Sequence, residues 1–207
     1  MFLPDSDPQF EAIQSHFDAS TGVTTDTRAA GAGQLFFALK GENFNGNVYA
    51  QQAIEAGCIA AVVDENEYAP LGDPRFILVP DALAALQSLA RWQRRKWSCP
   101  VIGLTGSNGK TTTKELMKCV LEAAHSNVHA TVGNFNNHIG VPLTLLAART
   151  EPDIAIIEMG ANAQKEIALL AEIAEPNAAV ITNIGRAHLE GFGGEEGVLK
   201  GKGELFD

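Results

Sequence analysis

Val101–Thr113 reads VIGLTGSNGKTTT: an apolar run, a polar turn flanked by glycines, then a lysine and three threonines. Val101–Thr105 has the length and β-branched content of a buried strand, and Thr111–Ala124 has the pattern of a helix. Strand, glycine-rich turn and helix in that order make a phosphate-binding loop. Gly106 and Gly109 permit backbone angles that other residues resist, so the N–H groups of Gly106, Ser107, Asn108 and Gly109 are free to point at phosphate oxygens. The helix that follows offers its unpaired N–H groups and positive dipole end to the same anion. Lys110 is placed to reach the β- and γ-phosphates, the Thr111 hydroxyl to ligate Mg²⁺, and Thr112 to complete the cradle. The strict pattern GxxxxGK[ST] requires glycine where Leu104 stands, so this is a variant with the first glycine displaced. The implied ligands are ATP and Mg²⁺.

Outward from the loop, the second half of the chain alternates strands and helices. Val128–Val132, Asp153–Met159 and Ala178–Asn183 read as strands; Pro142–Ala148 and Ala163–Ala174 read as helices, the latter stopped by Pro176. Strands that are apolar on both faces and alternate with helices predict a parallel sheet covered on both sides. Ligands of such sheets sit beyond the carboxyl ends of the strands.

The first half is also α/β. Gly33–Lys40, Ile59–Asp64 and Phe76–Pro80 read as short strands and Val48–Ala56 as a helix closed by Gly57. Asp81 caps a predicted helix over Ala82–Trp97, whose cations Arg91, Arg94, Arg95 and Lys96 read as a solvated face near its C-terminus. Ser98-Cys99-Pro100 then breaks the pattern. The expectation is a small amino-terminal α/β domain over 1–97, followed by a mostly parallel P-loop α/β domain over 98–207.

The bulk properties narrow the function classes. The 207 residues are 45% hydrophobic and 19% charged, with a formal net charge of -10. The negative balance argues against a nucleic-acid or membrane-surface binder, although local cations and N–H groups still hold anions. Three separated cysteines without a CxxC pair do not make a disulfide framework or a structural zinc site. No stretch approaches the roughly 18 apolar residues of a membrane span, and MFLPDSDPQF carries acids where a secretory signal carries bases. The expected setting is the cytoplasm, the expected state a monomer.

Three polar clusters fall at predicted strand ends. Glu158 closes DIAIIE, and a carboxylate after an apolar run needs a partner; Mg²⁺ beside a triphosphate is one, a strand-end salt bridge the other. His188 follows AAVITN, although magnesium prefers oxygen to imidazole. Asn134, Asn136, Asn137 and His138 crowd into GNFNNHIG, where an elaborate turn competes with a polar binding surface.

Taken in order, TGSNGKTTT, GNFNNHIGVPLTLL, EMGANAQKEI and ITNIGRAHLEGFG resemble the Mur ligase family. The asparagine-rich block and EMGAN resemble the member that joins D-alanyl-D-alanine to UDP-N-acetylmuramoyl-tripeptide. The earlier TTDTR and LFFALKGENFNGNVYA resemble the UDP-binding domain of the same enzymes. The resemblance implies ATP-dependent amide-bond formation through an acyl phosphate. It assigns Gly106–Thr112 to ATP and Thr111, Glu158 and His188 to magnesium, with Lys110, Glu158 and His188 in the catalytic set. It also implies a carbamylated lysine shortly after the histidine; Lys202 fits that spacing best, with Lys200 as competitor, and joins the catalytic and metal-binding sets if carbamylated. Without the resemblance both lysines read as a solvated helix face. Thr27, Arg28, Lys40, Asn45 and Gly46, with Asn134, Asn136 and Asn137, are placed at the UDP-muramoyl peptide, Asn45 standing where relatives often carry aspartate. Family members run to roughly twice this length, so the chain is expected to be a fragment lacking the last domain, its central sheet cut, and to turn over poorly alone. The rival readings are a non-catalytic UDP-binding fragment and another P-loop NTPase or kinase.

Overall fold

Asp7 begins the first element: its side chain accepts from the backbone N–H groups of Gln9 and Phe10, and Pro8 sits in the first turn of helix α1 (Pro8–Ala19). Phe10, Ile13 and Phe17, spaced three and four apart, are its buried face. This computed structural model describes residues 2–185 and 188–206. They divide into two units, 1–89 and 90–207.

In the first unit, β1 (Gly22–Thr24) and β2 (Gln34–Phe37) are followed by the short pair β3 (Lys40–Gly41) and β4 (Phe44–Asn45). Helix α2 (Ala50–Glu55), β5 (Ala60–Val63), β6 (Phe76–Leu78) and helix α3 (Ala82–Arg95) come next. The sheet is parallel in the order β1-β2-β5-β6, and β3 pairs with β4 antiparallel. Its core gathers Phe36, Ala53, Ile54, Ala61 and Val63. Gly46 donates its N–H to the Leu39 carbonyl, and a Cβ there would press into the backbone of Ala38 and Leu39, so only glycine fits.

The second unit is built on β7 (Val101–Thr105), α4 (Lys110–Leu121), β8 (Val128–Ala130), α5 (Gly140–Ala147), β9 (Ile154–Glu158), α6 (Glu166–Ala174) and β10 (Ala178–Ile181). Helices α7 (Leu189–Phe192) and α8 (Glu195–Gly203) complete it. Its four strands are parallel in the order β10-β7-β9-β8. Because β7 and β9 are central, their carboxyl ends carry the phosphate loop and Glu158 side by side.

Several expectations are corrected by packing. Ala178–Asn183 is not a buried strand: Ala178 is exposed and 179–181 are half-buried, because β10 has a neighbour only on its β7 side among the described residues. Of the cations expected as a solvated face at the end of α3, Arg95 and Lys96 are exposed and Arg91 half-buried, but Arg94 is not solvated. Arg94 is buried, and its guanidinium donates to the carbonyls of Ala174 and Glu175 and to Asn177 Oδ1, where α6 has ended and its last carbonyls need donors. Arg91 and Arg95 both pair with the Glu175 carboxylate. These bonds lie within the second unit, which begins at Ala90, inside α3.

Candidate functional site

The loop after β7 is held open by its neighbour strand. Ser107 N–H donates to the Asn183 carbonyl, and the Ser107 hydroxyl bonds Gly185 in both directions, accepting from its N–H and donating to its C=O. Asn108 N–H donates to Asn183 Oδ1, and the Asn108 carbonyl accepts from Thr182 Oγ1 and Asn183 Nδ2. Gly106, at φ +148, leaves no room for a Cβ against Thr182 Oγ1, and Gly109, at φ +78, turns the chain into α4. Lys110 opens that helix and folds its ammonium back onto the Gly106 carbonyl at 2.9 Å. Thr111 and Thr112 lie in the exposed first turn. The Ser107 and Asn108 N–H groups, expected to face phosphate, are thus engaged by Asn183, and the anion-binding feature the structure presents is the α4 N-terminus with the Lys110 ammonium beside it.

Glu158, 1% exposed, ends β9 opposite this turn. Its Oε1 accepts from Asn136 Nδ2 at 2.8 Å and from the Thr111 hydroxyl at 3.3 Å, and its Oε2 is buried without a hydrogen-bond partner. A buried, half-satisfied carboxylate is costly, and a cation supplies what it lacks. One carboxylate and one hydroxyl suit Mg²⁺, which takes few protein oxygens and completes its shell with water and phosphate. Among the described residues no three His, Cys, Asp or Glu side chains cluster to hold a metal.

A cleft of about 510 Å³ adjoins these groups. It is lined by Lys110, by Asn134, Asn136, Asn137 and His138 from one side, and by His188 from another. The asparagine block is both turn and surface. Asn137 Oδ1 caps α5 by accepting from the N–H groups of Ile139 and Gly140, while Asn136 reaches Glu158. His188 is exposed, in the left-handed region at φ 53, and caps α7. Asn162 and Glu166 also line the cleft, and sequence reasoning gave them no role although both lie in the EMGANAQKEI block.

Lys202 and Lys200 part company in the fold. Lys200 is exposed; Lys202 is 2% exposed, donates to the Ala161 carbonyl at 3.1 Å and lies under the Phe192 ring. Gly201 allows that ring to approach, since a Cβ there would strike it. Burial, and next the nearby positive charge of Lys110, lower the Lys202 ammonium to about 8, against an opposing pull from Glu166 and Glu204. An amine with this pKa is still mostly protonated near pH 7 but holds a far larger neutral fraction than a free lysine.

In the first unit, Thr25, Asp26, Thr27 and Arg28 line a pocket of about 350 Å³ with Phe36, Phe44 and Tyr49. The rings of Phe44 and Tyr49 stack at 5.6 Å. Arg28, its side chain 89% exposed, forks onto the Asp26 carboxylate, whose pKa falls to about 2 chiefly through that hydrogen bond. Lys40, Asn45 and Gly46 are engaged otherwise. Lys40 pairs with Asp64 at 3.1 Å and Glu65 at 3.5 Å; Asn45 donates to Glu65 and accepts from Asn47, which is itself bonded to Asp64.

Fold and site together define a two-unit α/β protein with a phosphate-loop turn and a buried acidic residue at adjacent strand ends. The chain belongs to the Mur ligase family: residues 104–207 match the Mur ligase middle domain, and residues 20–94 match the Mur ligase family catalytic domain. It is 46% identical over 202 residues to the UDP-N-acetylmuramoyl-tripeptide--D-alanyl-D-alanine ligase of Bacillus subtilis (strain 168), an alignment covering 98% of this chain and 43% of that protein. It is similar to the crystal structure of MurF from Acinetobacter baumannii, with a TM-score of 0.84 and 36% identity over 95% of this chain and 45% of the other. MurF ligase from Thermotoga maritima, solved in complex with ADP, superposes with a TM-score of 0.82 at 33% identity, covering 91% of this chain and 43% of the other. The chain thus spans less than half the length of these relatives. No helix among the described residues is long and apolar enough to cross a membrane.

Proposed function

We propose that this chain is the UDP-substrate-binding and phosphoryl-transfer portion of an ATP-dependent ligase that joins D-alanyl-D-alanine to UDP-N-acetylmuramoyl-tripeptide. The observation that carries the reading is Glu158: a buried carboxylate with one unpartnered oxygen, facing the threonine that follows the loop lysine. The relatives' names supply the substrates, and the site supplies groups suited to their chemistry.

In this reading the α4 N-terminus binds the β- and γ-phosphates, and Lys110 leaves the Gly106 carbonyl to join them. Thr111 and Glu158 would hold Mg²⁺, with His188, which lines the adjoining cleft, and carbamylated Lys202 as the further ligands. The metal supplies positive charge against the triphosphate. The tripeptide's terminal carboxylate oxygen attacks the γ-phosphorus, the bond to the β-phosphate oxygen breaks, and ADP leaves. The amine of D-alanyl-D-alanine then adds to the carbonyl of the acyl phosphate, loses a proton and expels phosphate, leaving an amide. Lys110 stabilises the charge that gathers on the transferring group. The Lys202 ammonium loses a proton, the neutral amine adds to CO₂ and a second proton leaves, so that a buried cation becomes an anion. The pocket of Thr27, Arg28, Phe44 and Tyr49 takes the uridine diphosphate, with a flat aromatic face for the base and a guanidinium for phosphate. The proposed setting is a cytoplasmic monomer.

The test is phosphate release from ATP in the presence of UDP-N-acetylmuramoyl-tripeptide and D-alanyl-D-alanine, with this chain and with one extended to the length of its relatives. Turnover by the longer chain that depends on both substrates supports the reading; turnover with another muramoyl substrate and amino acid instead overturns it. Lys110→Ala abolishes turnover, and an undiminished rate would remove the phosphate-loop role.

A further inference from the structure

Helix α4 buries a single side chain among the described residues, and it is a lysine. Lys114 is 0% exposed, while Met117 and Leu121 on the same face are only half-buried and Leu116 and Val120 are 64% and 71% exposed. A helix leaving a phosphate loop ordinarily settles on the sheet through an apolar stripe. A wholly buried ammonium in that place is expensive unless fully engaged. Here it donates to the Thr131 carbonyl at 2.7 Å and pairs with Glu115 at 2.8 Å.

Thr131 is a junction. Its N–H donates to the Ile156 carbonyl in β9, and its hydroxyl accepts from Glu158 N–H at 2.9 Å. Through one residue, then, Lys114 ties α4 to the backbone of Glu158. Lys114 lies one turn beyond Thr111, the residue whose hydroxyl meets the Glu158 carboxylate. Thr131 also begins the segment that carries Asn136, the other partner of Glu158 Oε1.

We infer that Lys114 is a positioning residue for the magnesium-binding pair: through Thr131 it holds the first turn of α4 at the distance from β9 at which Thr111 and Glu158 face one cation. The inference rests on the proposed reading of that pair as the Mg²⁺ site. Lys114 lies outside the cleft lining, so its effect passes through Thr131 to the groups around Glu158. An apolar side chain of the same length would keep the burial and lose the tie.

The experiment is calorimetric titration of this chain with ADP, with and without Mg²⁺. In Lys114→Met, the Mg²⁺ concentration for half-maximal enhancement of ADP binding rises about tenfold, equivalent to about 1.4 kcal/mol, and Mg²⁺-free ADP binding stays within twofold. Thr131→Val, which removes the hydroxyl at Glu158 N–H, shifts Mg²⁺ dependence the same way, and Thr131→Ser restores it. If Lys114→Met does not fold, Lys114→Leu reads the same Mg²⁺ dependence for the lysine, while the threonine pair tests the link from Thr131 to Glu158. Unchanged Mg²⁺ dependence in folded Lys114→Met, or identical behaviour of the Val and Ser variants, overturns the inference while leaving the proposed function intact. If the unaltered chain shows no Mg²⁺-enhanced ADP binding, the metal-site reading falls and the inference with it.

Discussion

The Thr111 hydroxyl stands 3.3 Å from Oε1 of Glu158, so the first turn of α4 and the last residue of β9 meet at one carboxylate. The two residues are 47 positions apart in sequence. They meet because β7 and β9 are adjacent parallel strands whose carboxyl ends lie level, Leu104 being paired with Glu158. A shared carboxylate beside a phosphate loop gives each group a separable effect.

Glu158→Gln keeps an acceptor for Asn136 and removes the charge. The expected result is loss of Mg²⁺-dependent ADP binding by at least tenfold, about 1.4 kcal/mol, with no fall in melting temperature, because an unpaired buried charge is replaced by a neutral group. Titration calorimetry and thermal unfolding check the two halves. Retained Mg²⁺ dependence would show that the carboxylate is structural.

Lys202 carries a pH signature. Its folded pKa, about 8, lies below the 10.5 of a free lysine, so the unfolded chain binds more protons between those values. Stability therefore rises with pH across that window, and the burial penalty is full below about pH 8. In CO₂-free buffer, Lys202→Met is expected to be more stable than the unaltered chain at pH 7, with the gain disappearing towards pH 10.5, as read by denaturant unfolding at several pH values. A constant difference would refute the assignment.

The same lowered pKa predicts which lysine takes up CO₂. With ¹³C-labelled bicarbonate near pH 8, one carbamate resonance is expected, absent in Lys202→Met and present in Lys200→Met. Lys200 is exposed and lacks the enclosure around Lys202. A signal that followed Lys200 would reverse the assignment.

Gly106→Ala places a methyl group against Thr182 Oγ1 at a backbone angle of φ +148. The expected cost is about 2 kcal/mol of stability together with weaker ADP binding, because the loop must shift away from β10. Thr182→Ala in the same chain relieves the collision but not the backbone strain, so it recovers part of the stability.

Arg28→Ala is expected to weaken uridine diphosphate binding about tenfold through lost charge-assisted hydrogen bonds and to leave the melting temperature where it is, since its pair with Asp26 is solvent-exposed. Equal affinity in the variant would place the diphosphate elsewhere on this unit.

Much of this architecture was legible in the chain itself. The run VIGLTGSNGKTTT is strand, loop and helix by local chemistry, and DIAIIE carries its burial in five apolar residues before the acid. Helix α1 could have been read too: Asp7, Pro8 and the spacing of Phe10, Ile13 and Phe17 are a start signal and a face. The fate of polar side chains was not legible. Arg94 and Lys202 look like solvated cations in a list of residues, yet one closes a helix end and the other lies under a phenyl ring. Lys114 drew no notice, because a lysine after three threonines is unremarkable until it lies beneath a helix.

The sequence by itself determined the run of strand, glycine-flanked turn and helix, the parallel α/β class and the acid that closes β9. These follow from φ/ψ preferences and hydrophobic period, which act over a few neighbouring residues. Only the tertiary structure decided that Glu158 keeps one oxygen unpartnered, that Lys202 rather than Lys200 is buried beside the cleft, and that Lys114 reaches Thr131. Those outcomes depend on which strand ends lie level and which helix covers them. Desolvation, the force that makes a buried carboxylate or amine reactive, is set by neighbours distant in the chain.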